Sequence, residues 1–292
     1  MEKKTILYIA GDGHSGTTLL DILLGAHNKA FSVGELNFLP EKGIKNKEFC
    51  SCGKPVINCD IWSKIISSWE EKRILKLDEY IFIQKKLSSK KNIISSYQLL
   101  KKPTGKILDY INDTHSLYEI IFKSTNSDYI IDSSKNPIKI LILKHISFDF
   151  KVIHLVRRFG DVLNSNKKVA KKDLKAGIEH NIIPKKTMYV LFNWLFKNLS
   201  TIIFSKGVSY NKIHYEEIVR DPVKHITNLI DFDTDFTKKL NNRGPFVPRH
   251  LVAGNKIRMQ NELFISDKPM NTAYSRLNIA DKLLARSIDY FY

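Results

Sequence analysis

The sequence predicts an α/β fold, a single domain of 292 residues with a P-loop-like parallel sheet flanked by helices and a helical insertion at about 61–125. Three observations predict it. An aliphatic and β-branched run at 6–10 passes at once into Gly11, Gly13 and Gly16. Apolar residues at helical spacing follow at Leu19, Leu20, Ile22, Leu23 and Leu24. Two later runs, 129–131 and 152–156, are short and apolar throughout, as strands covered on both faces are. The segments around them step by three and four residues, which is the helical period.

The first unit reads as strand, tight loop and helix. Glycines let the loop turn its N–H groups inward, and the helix opening at 16–18 offers free amides and a positive dipole end to an anion. Ser15, Thr17 and Thr18 add hydroxyl donors there. The spacing Gly11-x4-Gly16 followed by two threonines is close to that of a nucleoside triphosphate loop. Thr17, however, stands where that loop carries its lysine, and without the lysine γ-phosphate and magnesium chemistry lose their main cation. The loop is built for a phosphate-like group other than a triphosphate.

An extended piece at 30–36 ends in Gly34 and Glu35, where a sheet mouth can carry a binding or catalytic carboxylate. Helical steps then run through Trp62, Ile65, Ile66 and Trp69, through Tyr80, Phe82, Ile83 and Leu87, and through Ile107, Leu108, Ile111 and Leu117; these helices are expected to cover the sheet. The strand at 129–131 leads into Asp132, Ser133, Ser134 and Lys135. A lysine at a strand's carboxyl end beside the first loop can neutralise charge on a transferring group and its leaving oxygen. The strand at 152–156 leads through Arg157 and Arg158 into a helix carrying Ser165. Arg157 and Ser165, eight apart, can meet on one phosphate, the guanidinium forking two oxygens and the hydroxyl taking another. Lysines at 167, 168, 171, 172 and 175 are expected to extend that helix as a solvated or steering face. A helix at 187–204 is expected to bury Tyr189, Phe192, Trp194, Leu195 and Leu199. A late strand and helix start fall in 209–222, and a final helix at 279–292 is expected to pack Leu283, Leu284, Ile288 and Phe291 on the sheet.

With these residues assembled, a family resemblance appears. His14 to Leu20, HSGTTLL after the first strand, resembles the 5′-phosphosulfate loop of sulfotransferases that use 3′-phosphoadenosine 5′-phosphosulfate (PAPS). It is most similar to the bacterial branch related to tyrosylprotein and carbohydrate sulfotransferases, with His14 where arginine or lysine usually stands. Arg157 and Ser165 are similar to the 3′-phosphate signature of the same family. The resemblance implies that Gly13, His14, Ser15, Gly16, Thr17 and Thr18 hold the 5′-phosphosulfate. It implies Glu35 as the base that takes the acceptor proton, with His14 in reserve, and Lys135 acting on the bridging oxygen. Tyr215 would lie near the nucleotide, and a loop with Gly254, Asn255 and Arg258 would close over it and return a cation to the 3′-phosphate. The implied donor is PAPS, the product adenosine 3′,5′-bisphosphate, and no metal is required. The acceptor would be a hydroxyl or amine of a small molecule, carbohydrate or peptide.

Composition adds bounds. The formal charge of +17 favours a polyanionic ligand or an anionic surface. A nucleic-acid-binding protein is one alternative, but its lysines would interleave with aromatics on an exposed face, and here they are dispersed. A small-molecule kinase is another, and Thr17 stands against it. No apolar run reaches the roughly 18–20 residues of a membrane span, and 1–4 lead straight into the first strand, so a cytoplasmic location is expected. Cys50, Cys52 and Cys59 lack a fourth metal ligand at conventional spacing. Together with the resemblance this makes CSCG at 50–53 an expected structural loop.

Overall fold

The computed structural model describes residues 4–173, 178, 181–231, 233–266 and 274–290. Five strands, β1 (Thr5–Ala10), β2 (Ala30–Gly34), β3 (Tyr129–Asp132), β4 (Asp149–Val156) and β5 (Ser209–His214), form a sheet in the order β2-β3-β1-β4-β5. Every pairing is parallel, with Tyr8 opposite Asp132 on one side of β1 and Ala10 opposite His154 on the other. Because the chain leaves β1 for the far edge at β2 and returns to its other flank at β4, the order reverses at β1. The crevice of such a sheet opens at that strand's carboxyl end.

Helices cover both faces. α1 (Thr17–Leu24) follows β1, and α2 (Trp62–Lys72), α3 (Leu77–Ser88), α4 (Ile93–Lys101) and α5 (Gly105–Thr125) form the insertion. α6 (Pro137–Leu143), α7 (Phe159–Asn166), α8 (Thr187–Phe204), α9 (Tyr215–Arg220), α10 (Pro222–Ile226), α11 (Thr234–Asn241) and α12 (Ile279–Tyr290) complete the chain. In β1, Ile6, Tyr8 and Ala10 enter the core built with α2, α3, α5 and α6, while Leu7 and Ile9 enter the one built with α1, α10 and α11. The two-residue alternation of a strand thus feeds two cores, which is why its run is apolar without interruption. In the insertion Trp69 is fully buried and donates its indole N–H to the Asp113 carbonyl at 2.8 Å. Trp69→Ala would cost about 3–5 kcal/mol.

Four sequence expectations are corrected. α7 stops at Asn166, so the lysines at 167, 168, 171 and 172 lie on irregular chain, and Lys175 falls outside the described residues. In α8 the buried residues are Val190, Trp194, Asn198, Ser200, Thr201 and Phe204; Tyr189, Phe192, Leu195 and Leu199 are exposed. One layer of neighbours covers one face of a helix, and an apolar count along α8 cannot tell which face that is. In the insertion Phe82 and Leu108 are exposed for the same reason. Finally, α12 packs on α7 through Ala285 and Ile288 rather than on the sheet, leaving Leu283 exposed; Phe291 lies outside the described residues.

Candidate active site

The carboxyl ends of all five strands face one crevice. After Ala10 the chain turns through Gly11 (φ 141°) and Gly16 (φ 91°). At Gly16 an added Cβ would stand 2.3 Å from the Tyr215 ring, so this glycine answers both a left-handed backbone and a close approach. His14 adopts φ 66° without being glycine, while Gly13 has open space around it. Ser15 is 1% exposed, and its Oγ has no hydrogen-bond partner among the described residues.

Arg157, leaving β4, donates from one guanidinium nitrogen to the His14 carbonyl at 3.0 Å and lies 4.4 Å over the Tyr215 ring. Its Nε is buried without a partner. Ser165 on α7 brings Oγ to 3.2 Å from His14 Nδ1. Residues 14–16, 157, 165 and 215 therefore form one cluster. Arg158 turns outward to Asp161 (3.1 Å) and Glu216 (3.4 Å).

Glu35 and Lys135 meet next to this cluster. Gly34 (φ 71°) pairs with Val252, the Glu35 N–H donates to the Val252 carbonyl at 2.8 Å, and Glu35 is 7% exposed. Lys135 Nζ donates to Glu35 Oε1 at 2.5 Å. A Cβ at Gly254 would lie 3.4 Å from both Glu35 Oε1 and Thr18 Oγ1, and the Asn255 N–H donates to Thr18 Oγ1 at 3.3 Å. The loop at 252–255 thus ties Glu35 to the first turn of α1. Beneath it, Asp132 accepts from the Tyr118 hydroxyl (2.5 Å) and the Ser134 N–H (2.9 Å), fixing the turn that carries Lys135. Ser133 Oγ donates to Asp21 at 2.5 Å, and burial pushes the Asp21 carboxyl up to about 7.

Arg258 is 1% exposed and donates to the Phe49 carbonyl at 3.2 Å, beside Cys50. On the same loop, Lys256 is the cation that shares a field with Lys168, Arg276 and Arg157. Other residues at the crevice were not singled out from sequence. Lys185 adds to the positive field at His14, and Lys197 donates to the Lys135 carbonyl at 3.3 Å. Asp12 accepts from Asn193 at 2.5 Å. The signal for Lys197 is that it is the one charged residue of a mostly apolar helix.

Burial first, and then Lys185, Lys135, Lys168 and Arg157, press His14 down to about 4. It is a neutral imidazole at pH 7 and contributes no permanent charge. Burial likewise lowers Lys197 to about 8, partly opposed by Asp12. A mouth where several cations converge on a buried turn has the electrostatics of a polyanion site. The cleft lined by Asp12, Gly13, His14, Asn166, Lys185 and Asn193 holds about 60 Å³. A larger cavity of about 360 Å³ lies at the amino ends of the strands, beside Thr5, Tyr129 and Asp149. Open α/β sheets bind ligands at the opposite end.

The cysteine segment has a neighbour that spacing along the chain does not reveal. His250, far along the chain, brings Nδ1 to 3.2 Å from Cys59 Sγ and stands as the fourth member of a group with Cys50 and Cys52.

Sheet order and the glycine turn after β1 define the class, a P-loop-like α/β fold, and likeness to solved structures makes it a fold of the sulfotransferase type. No protein-family model matches the chain, and no curated protein shows a significant match. Among solved structures it is similar to the sulfotransferase domain from the curacin biosynthetic pathway, with a TM-score of 0.51 at 16% identity over 97% of this chain and 99% of that one. It is also similar to the sulfotransferase domain of the Synechococcus PCC 7002 olefin synthase, with a TM-score of 0.48 at 19% identity over 100% of this chain and 96% of that one. Among the described residues no helix is long and apolar enough to cross a membrane.

Proposed function

We propose that the protein transfers a sulfuryl group from PAPS to a hydroxyl or amine of an acceptor, a small molecule or carbohydrate in the first instance. The observation that carries this reading is the cluster in which Arg157 holds the His14 carbonyl while Ser15 Oγ and Arg157 Nε remain buried without partners. Buried donors left unpaired cost free energy, and an anion at this turn satisfies them. When bound, PAPS supplies a sulfuryl group on a phosphate leaving group. The amides of Gly13 to Thr18 and the hydroxyls of Ser15, Thr17 and Thr18 bind its 5′ end. Arg157 and Ser165 hold the 3′-phosphate, assisted by Lys168 and Lys256, and the Tyr215 ring supports the guanidinium.

Glu35 accepts the proton of the acceptor nucleophile. For that it gives up its hydrogen bond to Lys135, whose ammonium then turns to the charge that develops on the oxygen leaving sulfur. His14, kept neutral by burial and its cationic neighbours, is the second group able to accept a proton here. Holding nucleophile and donor in one crevice supplies much of the rate. Thr17 in the lysine position disfavours triphosphate use.

The test is thermal stabilisation. Adenosine 3′,5′-bisphosphate is expected to raise Tm where ATP with magnesium does not, and PAPS is expected to sulfate members of a panel of alcohols, phenols, sugars and amines. Stabilisation by ATP and magnesium alone would replace this reading with a kinase.

A further inference from the structure

We propose that Cys50, Cys52, Cys59 and His250 form a structural zinc site that fastens the loop at 250–255 over the active crevice. The four ligand atoms lie within 4.8 Å of one another, with Cys59 Sγ and His250 Nδ1 at 3.2 Å. Sulfurs at about 2.3 Å and a nitrogen at about 2.0 Å from a tetrahedral ion would stand about 3.5–3.8 Å apart, so small rotamer changes close the site. Three thiolates with one imidazole are a soft donor set suited to zinc, and four protein ligands leave no open position for catalysis.

Local structure supports the assignment. Cys50 and Cys52 flank a tight turn in which the Gly53 N–H donates to the Cys50 carbonyl at 2.9 Å with Gly53 at φ 84°, and the Cys50 N–H donates to the Lys54 carbonyl at 2.9 Å. Both thiols are thereby carried on one knuckle. Cys59 is buried at the entry to α2, and the Trp62 indole donates to the His250 carbonyl at 2.5 Å, fixing the histidine from its other side. His250 and Ala253 both hold left-handed backbone, φ 57° and 52°, without being glycine. Such residues persist only where their surroundings over-determine them, and a four-ligand ion does that at residue 250.

The consequence reaches the chemistry. Ser51 and Leu251 exchange hydrogen bonds, the Leu251 N–H to Ser51 Oγ at 2.9 Å and the Ser51 N–H to the Leu251 carbonyl at 3.1 Å. Val252 holds the backbone of Val33 and Glu35, Gly254 lies against the Glu35 carboxylate, and Asn255 reaches Thr18. Zinc at the cysteine knuckle would thus set where Glu35 and the turn at Thr18 stand, with Glu35 acting on substrate and the zinc ligands acting only as positioning residues. Binding releases the thiol protons and leaves a closed site of net charge −1.

The test uses the untagged full chain purified under reducing conditions, with metal content read by mass spectrometry. About one zinc per chain is expected, falling below about a tenth in Cys52→Ser and in His250→Asn. Cys52 is exposed, so its replacement leaves the core packing intact. Cobalt substitution is expected to give the strong visible bands of a tetrahedral ion with thiolate-to-cobalt charge transfer, and hydrogen exchange at 250–255 is expected to rise when the metal is stripped. Zinc below about a tenth of the chain concentration after incubation with equimolar zinc and reductant would overturn the proposal. So would a disulfide among these three cysteines in the reduced preparation, or an unaltered cobalt spectrum in both variants. None of these readouts requires nucleotide, so failure here leaves the sulfuryl-transfer reading standing, and failure of that reading leaves the metal site standing.

Discussion

Removing the Arg157 side chain tests the centre of the site. The guanidinium makes one hydrogen bond to the His14 carbonyl and lies over Tyr215, with Nε buried and without a partner. On a phosphate, a forked arginine contributes hydrogen bonds of about 1.5–3 kcal/mol each, and its stacking on an aromatic ring adds about 0.5–1 kcal/mol. Arg157→Ala therefore removes about 3 kcal/mol or more of bisphosphate affinity, which is about a hundredfold in Kd. Titration calorimetry with adenosine 3′,5′-bisphosphate measures it, run well below the variant's own Tm because the His14 carbonyl loses its donor. Arg158→Ala is the internal control, since its side chain is 46% exposed and pairs with Asp161 and Glu216; its Kd is expected to stay within about twofold. A folded Arg157→Ala protein that binds bisphosphate as tightly as the parent would refute the assignment of the 3′-phosphate to this arginine.

Three further outcomes are expected. Glu35→Gln keeps bisphosphate affinity but lowers single-turnover transfer by about 10²–10⁴-fold; full activity would move the base role to His14. Gly16→Ala forces a left-handed alanine onto the Tyr215 ring and is expected to cost about 2 kcal/mol or more in urea denaturation, whereas Gly13→Ala, with open space, is expected to be nearly neutral, and equal losses would show that the loop is not held as described. Asp21 supplies the pH dependence. Its folded value of about 7 lies above the ordinary 3.8, so the folded state favours the protonated acid, and a stability penalty grows as pH rises from about 4 to 7 and is complete above that. Asp21→Asn escapes the penalty, and its stability relative to the parent is expected to improve by up to about 4 kcal/mol between pH 4 and pH 8; a pH-independent difference would contradict the buried neutral acid.

Much of this architecture was legible in the chain because it is imposed locally. The uninterrupted apolar runs of β1 and β4 marked strands covered on both faces, and the glycines between β1 and α1 marked a tight turn; that Gly16 also makes room for the Tyr215 ring is seen only in the structure. Fixed spacing from a strand end was enough to bring Arg157 and Ser165 to one place, because β4 and α7 are each regular and joined directly. Where periodicity met a choice of neighbours it failed. The apolar residues of α8 and α12 outnumber the positions that α6, α7 and the sheet can cover, so several expected core residues are exposed.

The amino-acid sequence by itself determined the strands of the sheet, the glycine turn after the first of them and the residue types at the strand ends, since backbone sterics and strand or helix period act over a few residues. Only the tertiary structure decided which charges meet. It seated Arg157 on the His14 carbonyl, 143 positions away, brought Lys197 and Lys185 to the crevice, joined Arg258 to the Phe49 carbonyl, put Lys256 beside Lys168 and Arg157, and delivered His250 to three cysteines nearly two hundred residues earlier. Those contacts depend on how whole elements pack and on which way each side chain then points, and no local pattern along a chain encodes a distance between residues brought together by that packing.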